Sequence, residues 1–421
     1  MPQRQCTKTK AEVTSPCKRI TLPISMEEYR ELVGDSCTYR KWIDEMIVKH
    51  PELFPEEIAE GYTLHDQRTS DKLSEVQLRR ICLKARTAEG KKQVFTIAPS
   101  GVLPYAVGYT DAVEKALFLR RFDVPFWALA YVFGRDDKYW YRLENHFGRY
   151  NLVQTVVKDP KKLPQHLLAD EKITWLNGEE VVVATTVGED CMLGVSVALS
   201  ADTDNLTEAY QHFKDEAQAL KPDYAPETVN TDGWAATQRA WLNLFPMIVI
   251  LECFLHAFLK IRERGKHLKE LFRQISQQVW DVYHAADAIS FRSKAEELRY
   301  WAEKNTTGYV LEAIHKLCAK VERFVLVYDY PLAHRTSNML DRHMNSMARW
   351  LYSTRFFHGH WVSAERSVRA WALLHDFGPY CPRAKISQHF SSPAHKLNGF
   401  VYHPNWLHNL LIATSLSGIK P

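Results

Sequence analysis

The spacing of apolar and polar residues between positions 166 and 254 changes period several times, and each period predicts an element. Runs rich in β-branched residues indicate strands, and a 3.6-residue period indicates a helix. The predicted elements are strands at 166–175, 178–187 and 191–200, a helix at 204–220, a strand at 226–233, a helix at 234–244 and a strand at 247–254. This order, β-β-β-α-β-α-β, predicts an α/β domain built on one sheet.

Three short helices are predicted before this domain, over residues 111–150. Asp111 begins the first helix, Pro125 stands in the first turn of the second, and Gly134 lies in the turn before a third helix at 137–147. Two helices joined by a glycine-containing turn form the helix-turn-helix pattern of DNA-binding modules. A plain three-helix bundle with a solvated polar face has the same pattern, so both interpretations stay open.

The remaining segments are mostly helical or of mixed character. Ser25, followed by Glu28 three residues later, predicts a capped helix start in a mixed region that extends to about residue 100. Residues 253–330 keep a helical period almost throughout, and another helix is predicted near Asn338.

Composition narrows the class of protein. The chain has 421 residues, of which 46% are hydrophobic and 25% charged, and these values exclude a disordered, collagen-like or coiled-coil protein. Eight scattered cysteines do not form a disulfide framework. No apolar run reaches the roughly 18 residues of a spanning helix, and the N-terminus lacks the apolar stretch of a secretion signal. We therefore expect a soluble protein of a reducing compartment.

Charge is unevenly distributed along the chain. Residues 151–250 contain 7 basic and 15 acidic residues, whereas residues 251–421 contain 23 basic and 14 acidic ones. Residues 1–150 contain 24 basic and 21 acidic residues. An acidic centre between basic flanks suits a metal-binding site in a protein that binds a polyanion, although variation over long windows would produce the same contrast.

Three aspartates lie in or directly after elements that the sequence predicts. Asp170 lies in the first strand, Asp232 follows the fourth strand, and Asp341 lies in the helix after the last strand. Carboxylate oxygens are the ligands that Mg²⁺ prefers, and two such ions can activate the attacking oxygen and stabilise the leaving oxygen of a phosphoryl transfer. Glu365, on the following predicted helix, is the rival for the third position.

Four segments carry a resemblance to a known family. The order of elements resembles the ribonuclease H-like fold, and VNTDGW, which contains Asp232, resembles the second-aspartate site of DDE-type transposases of bacterial insertion sequences. Cys253 and His256 match the C-x2-H motif of the Mutator-like group. RTSNMLDRHMNSMARWL is similar to the last-acid motif, and ADEKITWLNGEEVVVATTV resembles the first-strand hairpin. The likeness covers roughly residues 105–380.

The resemblance implies a fold and a division into domains. It implies a ribonuclease H-like catalytic domain with a large all-helical insertion, preceded by a helix-turn-helix DNA-binding domain. The implied boundaries are an N-terminal region of unknown role at 1–104, the DNA-binding domain at 105–155, the catalytic domain at 160–390 with its insertion at about 255–332, and a C-terminal tail at 391–421.

The resemblance also implies a reaction and its residues. Asp170, Asp232 and Asp341 would bind two Mg²⁺ or Mn²⁺ ions, cut DNA at terminal inverted repeats and join the 3′ ends to target DNA. Asp341 departs from the family, which usually has Glu at this position. The expected protein is a cytoplasmic, nucleoid-associated transposase of a prokaryote that forms a homo-oligomer on DNA. Its expected DNA contacts are Lys138, Arg142, Asn145, Trp234, Arg262, Arg264, Lys266, Arg342, Arg349 and Arg355.

Two other functions stay open at this stage. The departure at Asp341 supports a non-catalytic DNA-binding protein derived from a transposase, and a nuclease of the same fold would use the same acids. Cys253 and His256 could form half of a zinc site, but a second pair at suitable spacing is missing, so a structural or DNA-proximal role is preferred.

Overall fold

The structure, a computed structural model, describes residues 18–70, 72–104 and 107–417. The chain is a mixed α/β protein with two mixed sheets and many helices. Within the described residues, no helix is both long and apolar enough to cross a bilayer.

The first sheet belongs to the N-terminal region and was not predicted. Its four strands are β1 (Arg19–Leu22), β2 (Tyr62–Ser70), β3 (Leu73–Arg86) and β4 (Lys92–Pro99), in the order β1-β4-β3-β2. Helices α1 (Met26–Gly34) and α2 (Ser36–Lys49) share a separate hydrophobic core with this sheet. The predicted capping box is confirmed, since Ser25 accepts from the Glu28 amide while the Glu28 side chain accepts from the Ser25 amide. Short 3-10 turns follow at Pro51–Leu53 and Glu56–Glu60.

The second sheet matches the predicted order of elements. Its elements are β5 (His166–Leu176), β6 (Glu179–Gly188), β7 (Cys191–Ala198), α7 (Thr203–Leu220), β8 (Thr228–Thr231), α8 (Ala235–Leu244) and β9 (Val249–Glu252). The strands run in the order β7-β6-β5-β8-β9, with antiparallel pairing among the first three and parallel pairing of β5 with β8 and of β8 with β9.

Residues 111–147 form the three predicted helices, and these pack on the second sheet's core. The helices are α3 (Asp111–Arg120), α4 (Phe126–Phe133) and α5 (Asp137–Phe147), followed by α6 (Leu152–Val156) and a 3-10 turn at Pro160–Lys162. A buried ion pair joins α3 to α5, with Arg120 Nε 2.5 Å from Glu144 Oε2. Buried residues of α5 belong to the same hydrophobic core as the second sheet.

The segment after β9 is helical, as predicted, and has its own hydrophobic core. Its helices are α9 (Phe254–Gly265), α10 (Glu270–Tyr283), α11 (Ala288–Asn305), α12 (Gly308–Cys318) and α13 (Val321–Val325), with 3-10 turns at Lys266–Leu268 and Leu326–Tyr328. We refer to residues 254–328 as the helical insertion.

The chain then returns to the second sheet. The last elements are α14 (Asn338–Ser353), α15 (Trp361–Phe377), a 3-10 turn at Lys385–Gln388, α16 (Pro393–Asn398) and α17 (Trp406–Ala413). Helix α17, in the segment expected to be a tail, is buried along its whole length. Ser415, just after it, hydrogen-bonds to the backbone of Thr21 in β1. The C-terminal segment thus joins the cores of both sheets.

Candidate active site

Asp170 of β5 and Asp232, the residue directly after β8, lie at the same level of two adjacent parallel strands. Leu168 in β5 pairs with Asn230 in β8, and each aspartate lies two residues further along its own strand direction. Side chains of a strand alternate between the two faces of the sheet, so a residue two positions further along lies on the same face as the first. Asp170 and Asp232 therefore lie on the face of Leu168 and Asn230. The register therefore explains why these acids, 62 residues apart in the chain, lie side by side.

Asp341 comes to the part of the second sheet where Asp170 and Asp232 lie, because hydrogen bonds fix the start of α14. The Asn230 side-chain amide donates to the His334 carbonyl at 2.7 Å, and the Phe254 amide donates to the Arg335 carbonyl at 3.4 Å. These bonds hold the loop before α14 against β8 and the start of α9. Asp341 lies in the first turn of α14, a helix that packs against β5.

The electrostatics of Asp170 reflect this convergence. The pKa of Asp170 is raised to about 6, chiefly by burial and also by the carboxylates of Asp232 and Asp341, against the lowering effect of a hydrogen bond from the Glu171 amide and of His256. Among the described residues, no lysine or arginine forms an ion pair with any of the three aspartates. The three expected acids therefore lie near one another as a cluster of negative charge. The expectation that their carboxylates lie within about 8 Å of one another, room for two bridging ions, stays a prediction.

Cys253 and His256 lie beside the aspartates and connect to Asp341 through a buried serine. The Ser337 hydroxyl lies 3.2 Å from Cys253 Sγ, 3.3 Å from His256 Nδ1 and 3.1 Å from Asp341 Oδ2. A hydrogen bond with Cys253 raises the pKa of His256 to about 9, assisted by Asp341 and Asp170. Burial raises the pKa of the Cys253 thiol, but hydrogen bonds from His256 and Ser337 outweigh it and lower the pKa overall. The motif thus supplies a cation beside the acids.

Ser337 was not predicted from the sequence. It lies directly before Asn338 in the segment that resembles the last-acid motif, and only the fold brings it to Cys253. Its hydroxyl bridges the start of α9 to the first turn of α14.

Glu171 is a second residue that the sequence did not single out. Its side chain accepts hydrogen bonds from Tyr210 of α7 and Thr237 of α8, both at 2.7 Å. Its other carboxylate oxygen is buried without a hydrogen-bond partner among the described residues, and the pKa of Glu171 is raised to about 7, chiefly by burial. Alternation along β5 turns Glu171 away from the Asp170 face. Glu171 therefore ties β5 to the two helices behind the site.

The turn after β8 fixes the backbone at Asp232. The carboxylate of Asp232 accepts from the Trp234 amide at 2.8 Å, and Gly233 has a φ of 94°, a conformation that favours glycine. Trp234, expected to contact DNA, precedes α8, and 39% of its surface is exposed.

The rival acid Glu365 lies elsewhere. Its carboxylate accepts from the Ser196 hydroxyl and the Val197 amide, both at 2.7 Å. These partners are in β7, which is an edge strand of the second sheet and is separated from β5 by β6. Glu365 therefore holds α15 to the sheet, and Asp341 is the acid that approaches Asp170.

The helix expected to read DNA is only partly accessible. Lys138 and Arg142 are exposed on one face of α5. The Asn145 side chain instead donates to the Ser363 carbonyl at 3.2 Å and to the Ser367 hydroxyl at 3.0 Å. Because this amide is used within the protein, the expectation that Asn145 reads adenine is not supported.

The other expected DNA contacts are exposed, and several pair with protein groups. Arg264 donates to the Tyr309 carbonyl, Arg342 lies 3.6 Å from Asp190, and Arg349 lies 3.8 Å from Asp123. The remaining exposed positions are Arg262, Lys266 and Arg355. Pairs this long at exposed arginines are weak, so the cations stay able to meet phosphates.

The acids fit Mg²⁺ or Mn²⁺ in kind and charge. Their donors are carboxylate oxygens, and no basic side chain of the described residues is paired with them. Yet no group of three or more His, Cys, Asp or Glu side chains within the described residues is arranged to hold a metal ion. The same finding applies to zinc at Cys253 and His256.

Comparison with known proteins does not identify the chain. No family model matches it, and a search of curated proteins finds no match either.

Proposed function

We propose that the chain is a DNA transposase that cleaves element ends and joins them to target DNA by metal-dependent phosphoryl transfer. The observation that carries the proposal is the convergence of Asp170, Asp232 and Asp341 from three separate elements onto one edge of the second sheet. Glu365, by contrast, is held against β7 by hydrogen bonds from Ser196 and Val197 and does not take part in this convergence.

The sheet order supports the same proposal. Three antiparallel strands, with two parallel strands added next to the first of them, form the order of the ribonuclease H-like fold. A helical insertion between the second and third acids is what the Mutator-like resemblance implies. Neither feature specifies a reaction, since one fold supports many functions, so the proposal depends on the acids themselves.

The three aspartates are positioned in two ways, two by the sheet and one by a side-chain hydrogen bond. Asp170 lies in a paired strand and Asp232 directly after one, so the sheet fixes their separation. Asp341 is oriented by the Ser337 hydroxyl, and His256 supplies a positive charge beside it. With a pKa of about 6, Asp170 is mostly ionised above neutral pH.

A negatively charged phosphodiester would be repelled by three carboxylates alone. Two divalent ions held by Asp170, Asp232 and Asp341 would neutralise this charge and supply the Lewis acid for displacement at phosphorus. The exposed cations of α5, α9 and α14 would hold the duplex through its phosphates.

Cleavage and binding of DNA by point variants test this proposal. We expect Asp341→Ala to abolish cleavage in Mg²⁺ or Mn²⁺ while binding of element-end DNA persists, because binding rests on basic side chains. Asp341→Glu should keep activity, since it restores the residue that the resembling family has. Tight binding of ends without cleavage by either protein would favour a non-catalytic DNA-binding protein. Cleavage without strand transfer would favour a nuclease.

A further inference from the structure

The helical insertion meets the second sheet through three charged side chains at the end of β9. Glu252 is buried, with 3% of its side chain exposed, and accepts from Lys320 Nζ at 2.6 Å and from Arg323. The cations are far more accessible, with 37% of the Lys320 side chain and 57% of the Arg323 side chain exposed. We call these three residues the Glu252 cluster. Its carboxylate is covered and its two cations face solvent.

The Glu252 cluster touches the turn that carries Asp232. A Cβ atom added to Gly233 would lie 3.2 Å from Lys320 Nζ and 3.3 Å from Glu252 Oε2. The Lys320 ammonium group therefore lies close to Gly233, the residue directly after Asp232. The insertion, although far along the chain and built on its own core, places positive charge at the border of the acidic site.

The cluster contains more cations than its carboxylate needs. One carboxylate with two basic side chains leaves a net positive charge, and a single ion pair would suffice to neutralise Glu252. The surplus is solvent-facing and lies beside a cluster of carboxylates with which no lysine or arginine of the described residues forms an ion pair. A phosphate beside the acids would therefore lie close to the positive charges of Lys320 and Arg323.

We propose that Lys320 and Arg323 form a phosphate-binding site for the DNA strand that enters the candidate active site, with Glu252 holding both cations in place. This inference rests on the proposed function and adds to it, because it assigns the helical insertion a direct contact with DNA. The ligand is the sugar–phosphate backbone, so the contact is independent of sequence.

Salt dependence of DNA binding tests the site without knowledge of the element ends. The probe is a fluorescein-labelled DNA duplex of random sequence, and affinity is measured by anisotropy with the full chain between 50 and 200 mM salt. Each phosphate contact contributes roughly 0.9 to the slope of log affinity against log salt. Losing one or two contacts should therefore make the variant's fall in affinity across this range about threefold to tenfold smaller than the wild-type fall.

The test variant removes all three charges at once, so that no buried carboxylate is left uncompensated: Lys320→Gln, Arg323→Gln and Glu252→Gln. A matched control variant in the same insertion also removes two cations and one acid, at exposed ion-paired positions: Lys316→Gln, Arg273→Gln and Glu312→Gln. Both variants change the net charge equally. Thermal unfolding of each variant verifies that it is folded.

A flatter slope for the test variant with an unchanged slope for the control supports the proposal. Equal slopes for both variants, whether changed or unchanged, would overturn it. The single variant Glu252→Gln separates a phosphate site from a mere structural contact. We expect it to bind duplex more tightly, because the glutamine oxygen can still accept a hydrogen bond that positions a cation but no longer neutralises positive charge, and weaker or unchanged binding would count against the site.

The proposed function and this inference fail in different ways. A wild-type chain that binds no duplex overturns both. A wild-type chain that binds and cleaves DNA, with a test variant of unaltered slope, overturns only the phosphate site. A chain that binds duplex through Lys320 and Arg323 but cleaves nothing keeps the phosphate site and removes the enzyme.

Discussion

Replacing Asp170 with asparagine should make the protein more stable, although it should destroy activity. Asp170 has a pKa of about 6 in the folded chain because burial and two neighbouring carboxylates disfavour its charge. In the unfolded chain it titrates near the ordinary value of 3.8. Above pH 6 the folded protein must therefore keep an ionised carboxylate in a place that penalises it, and Asp170→Asn removes this penalty.

The pKa difference sets the size and the pH window of the effect. Between the two pKa values the folded chain binds a proton that the unfolded chain has lost, so the free energy of unfolding falls as pH rises from about 4 to 6. Above that window the penalty is constant, and the difference between 3.8 and about 6 corresponds to roughly 3 kcal/mol at most. For a chain of 421 residues this is a rise of about 3 °C in the unfolding midpoint.

Thermal unfolding at pH 4 and pH 8, in buffer with a chelator, measures this prediction. We expect Asp170→Asn to melt higher than wild type at pH 8 and close to wild type at pH 4. Asp202→Asn is a suitable control. Hydrogen bonds, first that from the Asn205 amide, lower the pKa of Asp202 to about 2, so the folded protein favours its ionised form and no stabilisation is expected from removing the charge. A destabilised Asp170→Asn protein at pH 8 would show that Asp170 is a structural acid and refute the reasoning.

Three further predictions concern residues around the site and in α5. Ser337→Ala should slow DNA cleavage about tenfold with duplex affinity unchanged, because Asp341 loses the hydroxyl that orients it; a rate equal to wild type would contradict this. Glu365→Gln should keep the cleavage rate of the folded protein and lower its free energy of unfolding by about 1 kcal/mol, and loss of cleavage by a well-folded variant would instead make it the third acid. In binding assays with varied end sequences, Arg142→Ala should relax sequence preference, and Lys138→Ala should lower the affinity for all sequences alike. Asn145→Ala should alter the stability of the protein only, and an altered sequence preference in this variant would contradict its packing role.

Periodicity predicted the second sheet because its strands are rich in β-branched residues and are separated by clear turns. The run at 178–187 shows this composition, and β6 is buried over most of its length. The first sheet was missed because β2 and β3 mix charged and apolar residues without strict alternation. Their pairing is interrupted between Leu64 and Gln67, which breaks the period of two that marks a strand.

The site was predicted only as far as its residues follow strand ends. Asp170 and Asp232 were found because the order of elements resembles a fold in which the first strand lies beside the end of the fourth, and Asp341 because of the motif around it. Ser337 and Glu171 act through contacts with residues distant in the chain, at Cys253 and Thr237, and no local pattern encodes such contacts. The partners of Asn145 could not be predicted for the same reason, since they belong to α15, far from it in sequence.

The central claim is that Asp170, Asp232 and Asp341 form one metal-dependent site, and Mn²⁺ binding measures it most directly. Titration of the full chain with Mn²⁺, followed by electron paramagnetic resonance in the presence of DNA, counts bound ions without requiring catalysis. We predict two bound ions for wild type and a loss of binding in each of the single variants Asp170→Asn, Asp232→Asn and Asp341→Asn, with no loss in Glu365→Gln. Equal Mn²⁺ binding by wild type and all three aspartate variants would contradict the account.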